Sequence, residues 1–442
     1  MYFKKYISDR IIKGSELFME RQLQLNKKRT IYIGLAFFTI LMLWQVYNHY
    51  ASLFLEDLLI TKYGGVSTDY SYMIGAIMAA DNLFGLFMLP IFGNLSDKTS
   101  SKYGKRMPYI IIGTILAAII FPLIPIFYIN NSLVGVFVTM GLTLIVMNMY
   151  RNPAVALMPD ITPKPLRSKA NAIINFVGYL GAIFAGAVAM FIDADKSSYV
   201  TVLPFVLTSV LMILALVTLV YKIKENKILE EVKEEMEYGE ELSQTEEKVV
   251  EDKPLSKTDK YNLIVLIISV FFWFFGFNAI ESFGSIYANN VFDNSKIWGT
   301  VVIVLTVCSL ISFIPSGALA DKIGRKNTVL LGLGLIIIGA FGCSFFKSYN
   351  VLFLLLIAVC GIGWAMINCN SYPMIVEIAN KSNVGKYTGY YYTASMLAQT
   401  ITPIFVGVLF YFSDIGYSIL FPYSTIAMIV ASILFATIKI KK

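Results

Sequence analysis

The sequence has few of the side chains from which enzymes build active sites. Its 442 residues include one histidine, His49, and four cysteines, Cys308, Cys343, Cys360 and Cys369. The cysteines fall within long apolar runs and show no disulfide or metal-ligand spacing, which is typical of small apolar fillers. The glycine-containing loops match neither dinucleotide-binding nor phosphate-binding patterns. The sequence therefore predicts no enzyme, no metal site and no cofactor.

Charged residues are also scarce. Only 15% of the residues are charged and 57% are hydrophobic, whereas a soluble domain is about 25% charged and about 45–50% apolar. A helix needs about 20 mostly apolar residues to cross a bilayer. The pattern predicts an all-α membrane protein with twelve transmembrane helices, at residues 31–55, 70–95, 108–128, 134–158, 170–192, 200–221, 261–290, 297–319, 328–346, 351–376, 387–412 and 418–438.

The net charge of +7 is distributed as in a membrane protein and does not indicate nucleic-acid binding. Cytoplasmic loops of membrane proteins carry an excess of lysine and arginine. Alternate connections are basic here, and the connections between them hold at most one lysine each. We therefore expect a multi-pass protein of the cell membrane with both termini in the cytoplasm. The basic segments are 98–106, 164–169, 322–326, 381–386 and 439–442.

Residues 222–260 interrupt the apolar pattern, because they hold 13 of the 29 acidic residues. Such a run is typical of a solvated, partly helical linker. The chain then divides into a cytoplasmic N-terminal segment (1–30), a six-helix bundle (31–221), the charged linker (222–260), a second six-helix bundle (261–438) and a cytoplasmic tail (439–442). Residues 1–30 fit equally a helix on the inner membrane surface and a disordered segment.

The two bundles repeat short motifs in the same order. "GNLSD" (93–97) corresponds to "GALAD" (317–321), "YNHYASLF" (47–54) to "FNAIESFG" (277–284), and "NPAVALMPDI" (152–161) to "SYPMIVEI" (371–378). Three matching pairs indicate a duplicated fold, in which the substrate binds between the repeats near the middle of the membrane.

The first motif pair resembles the signature loop of the major facilitator superfamily. The stretches "SDKTSSKYGKRMPY", "NPAVALMPDITPKPLRSKANAIINFVGYLG" and "GKYTGYYYTASMLAQ" resemble its sucrose-transporter branch and the related glycoside–pentoside–hexuronide:cation symporters. The resemblance implies the major facilitator fold, with two pseudo-symmetric six-helix bundles that work by alternating access. It also implies a cytoplasmic gate in which carboxylates pair with loop cations; the alternative is that the loops only anchor the topology. The gate residues would be Gly93, Asp97, Arg106, Gly317, Asp321 and Arg325.

Charged residues inside apolar spans are costly and usually functional. Asp81, Arg151 and Glu281 lie within spans. A carboxyl in apolar surroundings can exchange a proton near neutral pH, so we expect Asp81 or Glu281 to bind H⁺ while Arg151 changes partner, with His49 as a further candidate. The alternatives are a permanent ion pair and, for His49, a hydrogen-bonded wall residue. Since Arg151 stands where melibiose-type relatives carry an acid, the resemblance favours H⁺ over Na⁺.

Polar and aromatic residues occur together in the first, fourth, seventh and tenth spans, which the resemblance implies as walls of the substrate site. Amides donate and accept hydrogen bonds at once, and flat aromatic faces suit one side of a sugar ring. The alternative is ordinary helix packing. The predicted substrate-binding residues, with neighbours in other spans, are Trp44, Gln45, Tyr47, Asn48, Asn82, Asn148, Tyr150, Trp273, Asn278, Trp364, Asn368, Asn370 and Gln399.

These features together predict a secondary active transporter that imports a sugar with protons and acts as a monomer in the lipid bilayer. The expected substrate is a disaccharide or another glycoside, similar to sucrose or maltose. Proton-driven efflux of an amphipathic solute and sodium-coupled glycoside symport remain open as transport alternatives. From another class of protein, the alternative is an integral-membrane sensor, for which the acidic linker is the only available signalling segment.

Overall fold

A computed structural model of the protein describes residues 23–249, 255–379 and 383–439. Residues 1–22, which belong to the predicted N-terminal segment, lie outside the described residues. Within the described ranges the chain forms fifteen α-helices with short 3-10 turns and no strand. The helices are α1 (Lys27–Tyr63), α2 (Ser71–Lys98), α3 (Met107–Ile120), α4 (Leu123–Ile129), α5 (Leu133–Asp160), α6 (Arg167–Phe191), α7 (Leu203–Lys222), α8 (Glu225–Glu231), α9 (Lys233–Val249), α10 (Lys257–Phe292), α11 (Lys296–Ile323), α12 (Arg325–Cys343), α13 (Val351–Ile378), α14 (Val384–Phe412) and α15 (Leu420–Ala436).

Twelve helical segments of the described chain are long and apolar enough to cross a membrane, which confirms the prediction. They are α1, α2, α3 with α4, α5, α6 and α7 in the N-terminal bundle, and α10 to α15 in the C-terminal bundle. Helices suit this environment because hydrocarbon offers no partner to backbone N–H and C=O groups. The first helix runs to Tyr63 and not to residue 55, since its backbone hydrogen bonding continues past the apolar run into water-compatible side chains.

Several spans begin at a polar residue that the sequence places just before the apolar run. Asn26, Ser132 and Asn350 each accept a hydrogen bond from the backbone N–H three residues ahead, at 3.0, 3.1 and 3.1 Å. Such N-caps satisfy backbone donors that the helix itself leaves free. The capping residues therefore fix where α1, α5 and α13 start.

Besides a smaller contact between α1 and α10, the two bundles meet along two pairs of helices, α2 with α14 and α6 with α11. Both pairs approach to backbone distance at a glycine. A Cβ added to Gly75 in α2 would lie 2.1 Å from the carbonyl oxygen of Pro403, and one added to Gly299 in α11 would lie 2.5 Å from that of Gly186. We call these contacts the two glycine crossings; any larger side chain would push the bundles apart.

Polar contacts between the bundles cluster at one end of the molecule. We call this the far end, where residues 64–66, 193–198 and 293–295 lie, and the other the basic end, where residues 99–106 and Gly324 lie. At the basic end, Arg106 bonds to Asp97 and Asp160 of the N-terminal bundle and Arg325 to Glu377 of the C-terminal bundle. The bundles are thus hydrogen-bonded to each other at the far end, whereas these two arginines bond within their own bundles. The far-end hydrogen bonds join Ser52 to Ser285 (3.3 Å), Asn290 to Glu56 (2.6 Å), Ser67 to Tyr417 (2.7 Å) and Ser295 to Asp193.

The acidic segment after α7 carries the two helices α8 and α9, which pack on the N-terminal bundle at the basic end. Ile228 and Val232 are buried, and Met236 packs against the same core. In α9, a Cβ at Gly239 would lie 3.0 Å from Pro163. The few apolar side chains recur every four residues and form one face, so this part of the predicted solvated linker is docked.

Replacing Gly299 by alanine tests the glycine crossings. The new Cβ would meet a backbone carbonyl at 2.5 Å, so we expect a loss of about 1–3 kcal/mol of stability, measured as a lower midpoint of thermal unfolding in detergent. Gly334→Ala in α12 is the matched control, because nothing lies within 4 Å of a Cβ there. A Gly299→Ala midpoint equal to that of the control would contradict the role given to the crossing.

Candidate functional site

The exposure of Arg151 indicates a water-accessible cavity between the bundles. Arg151 is exposed, although it lies nine residues, or about 14 Å, before the end of α5. A guanidinium facing lipid at that depth is strongly unfavourable, so its exposure indicates water between the bundles. The predicted substrate residues that are also partly exposed are Trp44, Gln45, Asn82, Trp364, Asn368 and Gln399.

Asp81 lies well inside α2 and is 6% exposed. The hydroxyl of Tyr47, on α1, donates to its Oδ2 at 2.8 Å. In the described chain no cationic group lies within 4 Å of Asp81 or of Glu281, and no carboxylate lies that close to Arg151. The three intramembrane charges are therefore not paired with one another in this conformation, and a permanent ion pair among them is not what the structure shows.

Asn82, next to Asp81, connects the two bundles. Its Nδ2 donates to the backbone carbonyl oxygen of Gln399 in α14 at 3.1 Å. Both residues were predicted to bind substrate through their side chains, and the structure gives Asn82 this further contact. The acid of α2 thus lies one residue from the deepest hydrogen bond of the α2–α14 pair.

Glu281, on α10, is partly exposed at the same boundary. Trp44 of α1 and Tyr179 of α6 are its neighbours across the helix boundary. Trp44 also stacks on Tyr47, with ring centroids 6.2 Å apart. The structure therefore connects Glu281 and Asp81 through a short series of aromatic side chains.

Four predicted amides follow one pattern. Asn148, Asn278, Asn368 and Asn370 each donate Nδ2 to the carbonyl oxygen four residues earlier, at 2.7–2.9 Å. Each side-chain oxygen is then left for another donor, and that of Asn148 is buried with no partner among the described residues. Asn370 is fully buried and accepts from Arg325 at 3.4 Å. The structure therefore groups Asn370 with the basic end and not with the cavity.

An aromatic platform that was not predicted lies beside these amides. Phe277 stacks on Trp364, with ring centroids 3.7 Å apart and planes 6° from parallel, and Phe274 packs edge-on against Trp364 at 5.5 Å. The run "FWFFGFN" at 272–278 contains the signal. Phe277 and Phe274 are spaced by three residues and so share one face of α10.

The structure buries several other predicted site residues away from the cavity. Trp273 is fully buried and packs edge-on against Phe435 of α15 at 6.2 Å. Tyr150 and Asn48 are also buried. His49 packs against the ring of Tyr50 at 4.6 Å, and neither of its ring nitrogens has a hydrogen-bond partner among the described residues.

At the basic end, Arg106 joins three helices of the N-terminal bundle. Its guanidinium donates to Asp160 at 2.8 Å, to Ser96 at 2.5 Å and to Asp97. Burial works against its charge, but the bonds to Asp160 and Asp97 outweigh burial and raise the pKa of Arg106. The guanidinium therefore stays charged and ties α2 and α5 to the start of α3.

The second copy of the motif uses a different acid from the one expected. Arg325 donates to Glu377 at 2.5 Å, and Asp321 makes no hydrogen bond or ion pair with any described residue. Asp160 and Glu377 were not among the predicted gate residues, although the repeated motif in which each apolar run closes on an acid pointed to them. The gate glycines are loosely surrounded: nothing lies within 4 Å of a Cβ at Gly93, and only Cys369 does at Gly317.

Asp160→Asn should weaken the Arg106 network. Hydrogen bonds to charged groups contribute about 1.5–3 kcal/mol, so we expect a loss of stability in that range, measured as a lower midpoint of thermal unfolding in detergent. Asp414→Asn is the control, because Asp414 is an exposed acid of the far-end loop 413–415 with no bond in the described chain. Equal midpoints for the two variants would show that Asp160 does not stabilise the bundle.

The amino-acid sequence matches the family model of the Major Facilitator Superfamily over residues 30–403, with a second match over residues 299–440. The chain belongs to the major facilitator superfamily. As a member of this superfamily it is a transport protein and not an enzyme. The predicted fold is confirmed. The superfamily match does not distinguish the sucrose or glycoside branch from other branches.

Solved structures of major facilitator transporters share the fold. A D-xylose–proton symporter superimposes with a TM-score of 0.66 at 15% identity, covering 92% of this chain and 97% of the other. The inward-open xylose transporter XylE from E. coli gives 0.66 at 15% identity over 93% and 96%. The nucleoside transporter NupG gives 0.63 at 12% identity over 93% and 99%. At these identities the likeness shows the fold alone.

A protein of Haemophilus influenzae named as a metabolite transport protein is 27% identical over 134 residues. The matched region is 29% of this chain and 30% of that protein. The chain therefore matches less than a third of the length of this relative.

Proposed function

We propose that the protein is a proton-coupled sugar importer of the cell membrane, of the sucrose and glycoside type, with both termini and the basic end in the cytoplasm. The observation that carries the proposal is the environment of Asp81. This carboxyl is 6% exposed, accepts a hydrogen bond from the neutral Tyr47, and has no cation within ion-pair distance among the described residues. A buried acid without a counter-ion is stabilised by taking up a proton.

The position of Asp81 suggests how a proton drives the cycle. Asn82 holds α2 against α14 at 3.1 Å from the Gln399 carbonyl, so a charge on Asp81 lies where the bundles touch. Protonation removes that charge and makes closure around the carboxyl less costly; release of the proton favours the state in which water reaches it. A ligand shifts such an equilibrium by its difference in affinity for the two states, and here the ligand is H⁺.

A sugar suits the rest of the cavity. The Phe277–Trp364 platform offers a flat apolar surface, and the amide of Asn368 lies one helical turn beyond Trp364. Such a combination binds the apolar face and the hydroxyl groups of a sugar ring. The names of two structural neighbours, a D-xylose–proton symporter and a nucleoside transporter, support a substrate that contains a sugar ring.

The conformation agrees with an importer in its inward-facing state. The bundles are hydrogen-bonded to each other at the far end, whereas Arg106 and Arg325 of the basic end bond within their own bundles. The basic end is the one expected in the cytoplasm from its lysine and arginine content. An inward-open xylose transporter is among the structures that superimpose on this chain.

Sugar-driven proton movement in proteoliposomes tests the proposal. We expect external sucrose, maltose or another glycoside from a panel to acidify the lumen of liposomes that contain the wild-type protein, in sodium-free buffer. Asp81→Asn should reduce this proton flux at least tenfold, since an amide carries no titratable proton at these pH values. Binding of the sugar should persist in Asp81→Asn and no longer depend on pH.

Asp414→Asn, at the far end, is the matched control and should acidify like the wild type. Proton flux retained in Asp81→Asn would exclude Asp81 as the coupling acid. Sugar uptake that requires sodium would establish sodium symport, and a lumen that responds to amphipathic cations but to no sugar would establish efflux.

A further inference from the structure

The acidic linker contributes a carboxylate to the interior of the basic end. Glu225, the first residue of α8, is fully buried, although it belongs to the most acidic part of the chain. Ile228 and Val232, at helical spacing on the same face, are buried with it. A charged side chain is rarely buried completely unless it is paired, so its partners explain why α8 docks where it does.

The partners of Glu225 are backbone N–H groups at the start of α3 and in the two residues before it. Its two carboxylate oxygens accept from the backbone N–H of Lys105 (2.9 Å), of Arg106 (3.0 and 3.1 Å) and of Met107 (3.0 Å). No side chain at the N-cap position of α3 provides this cap. A carboxylate at a helix N-terminus is favoured by the free N–H groups and by the helix dipole. The linker thus caps a transmembrane helix from more than a hundred residues away in sequence.

The loop before α3 is shaped to receive this carboxylate. Gly104 has a φ of +110°, and a Cβ there would lie 2.2 Å from Oε2 of Glu225. The neighbouring Asn226 donates its Nδ2 to the carbonyl oxygens of Ser101 (2.9 Å) and Lys102 (3.3 Å). Backbone conformation, a missing side chain and two further hydrogen bonds therefore fit the same contact.

We propose that Glu225 is a positioning residue of the basic-end gate, and that the linker acts on the conformation of the transporter through it. Arg106 is held from two sides: Glu225 holds its backbone, and Asp97, Ser96 and Asp160 hold its side chain. We call the contact of Glu225 with the backbone of residues 105–107 the linker clamp. It fixes the backbone of Arg106, and with it the direction in which the guanidinium points.

The clamp favours the state in which the basic end is open. In this structure the gate arginine is engaged within its own bundle, and the Asp97 side chain is 56% exposed. Closing the basic end requires contacts across the bundles, for which Asp97 is the available acid of the N-terminal motif. Loosening Arg106 frees Asp97 for such contacts, so removal of the clamp shifts the population toward the closed basic end.

Glu225→Gln tests the clamp with little change of shape, since it removes the charge and one of the two acceptor oxygens. Hydrogen–deuterium exchange of the backbone amides at 105–107 should become about tenfold faster, because charge-assisted caps are the stronger ones. Glu230→Gln is the matched control on the same helix; Glu230 is exposed and makes no bond in the described chain.

Spin labels at positions 98 and 386 report the distance between the bundles at the basic end. The distance is measured without sugar or gradient, in a variant whose own cysteines are replaced. We expect Glu225→Gln to increase the ratio of the short to the long distance about tenfold, equivalent to about 1.4 kcal/mol. Loss of folding would broaden the distribution and give no discrete short distance. Faster exchange with an unchanged or merely broadened distribution would overturn the proposal and reduce Glu225 to a structural cap.

A double-mutant cycle shows whether Glu225 acts through the arginine. If it does, Glu225→Gln should change the distance ratio much less in an Asp160→Asn background, because the arginine is already loosened there. Equal effects in both backgrounds would contradict the proposal. Since no substrate enters these measurements, they stand whether or not the protein transports a sugar.

Discussion

Close backbone contact between the two bundles is the constraint on which the rest of the structure depends. At the two glycine crossings, carbonyl oxygens of one bundle lie too close to the other bundle's glycines to leave room for a Cβ. Attraction between helices in lipid comes from such packing, because hydrocarbon gives no hydrophobic force between spans. The crossings lie toward the far end, so the polar seam forms there and the space between the bundles widens toward the basic end.

The burial of each intramembrane charge depends on its distance from the glycine crossings. Asp81 lies six residues after Gly75, the glycine of the α2 crossing, and next to Asn82, whose bond to α14 is the innermost of that pair. Arg151 lies further toward the basic end and is exposed. Burial of charged side chains thus decreases, and access to water increases, along the spans from Asp81 toward the basic end.

The fold could be predicted from the sequence because run length, loop charge and a repeated motif are properties of the chain itself. Which side chains face the cavity could not. Trp273 and Asn370 lie on the predicted spans but face helices of their own bundle, whereas Phe277, an ordinary apolar residue, stacks on Trp364. In a membrane protein the lipid-facing surface is as apolar as the core, so hydrophobic periodicity does not distinguish the inner face of a helix.

The two copies of the arginine motif have different hydrogen-bond partners. Arg106 has three side-chain partners and a backbone clamp from α8, and Arg325 has Glu377 and Asn370. Motif spacing reveals the equivalence of the two arginines, but the partners come from distant segments and depend on how the helices pack. The repeated motif pointed to Asp160 and Glu377 at the ends of α5 and α13. Nothing in the sequence distinguished Glu225 from the other acids of its run.

One feature of the α2–α14 pair bears on how the transporter can vary. The partner of Asn82 is the main-chain oxygen of residue 399 and not the glutamine amide. Any amino acid at that position offers the same oxygen, so this hydrogen bond between the bundles does not depend on which side chain residue 399 carries. The side chain can be exchanged while the main-chain contact is kept.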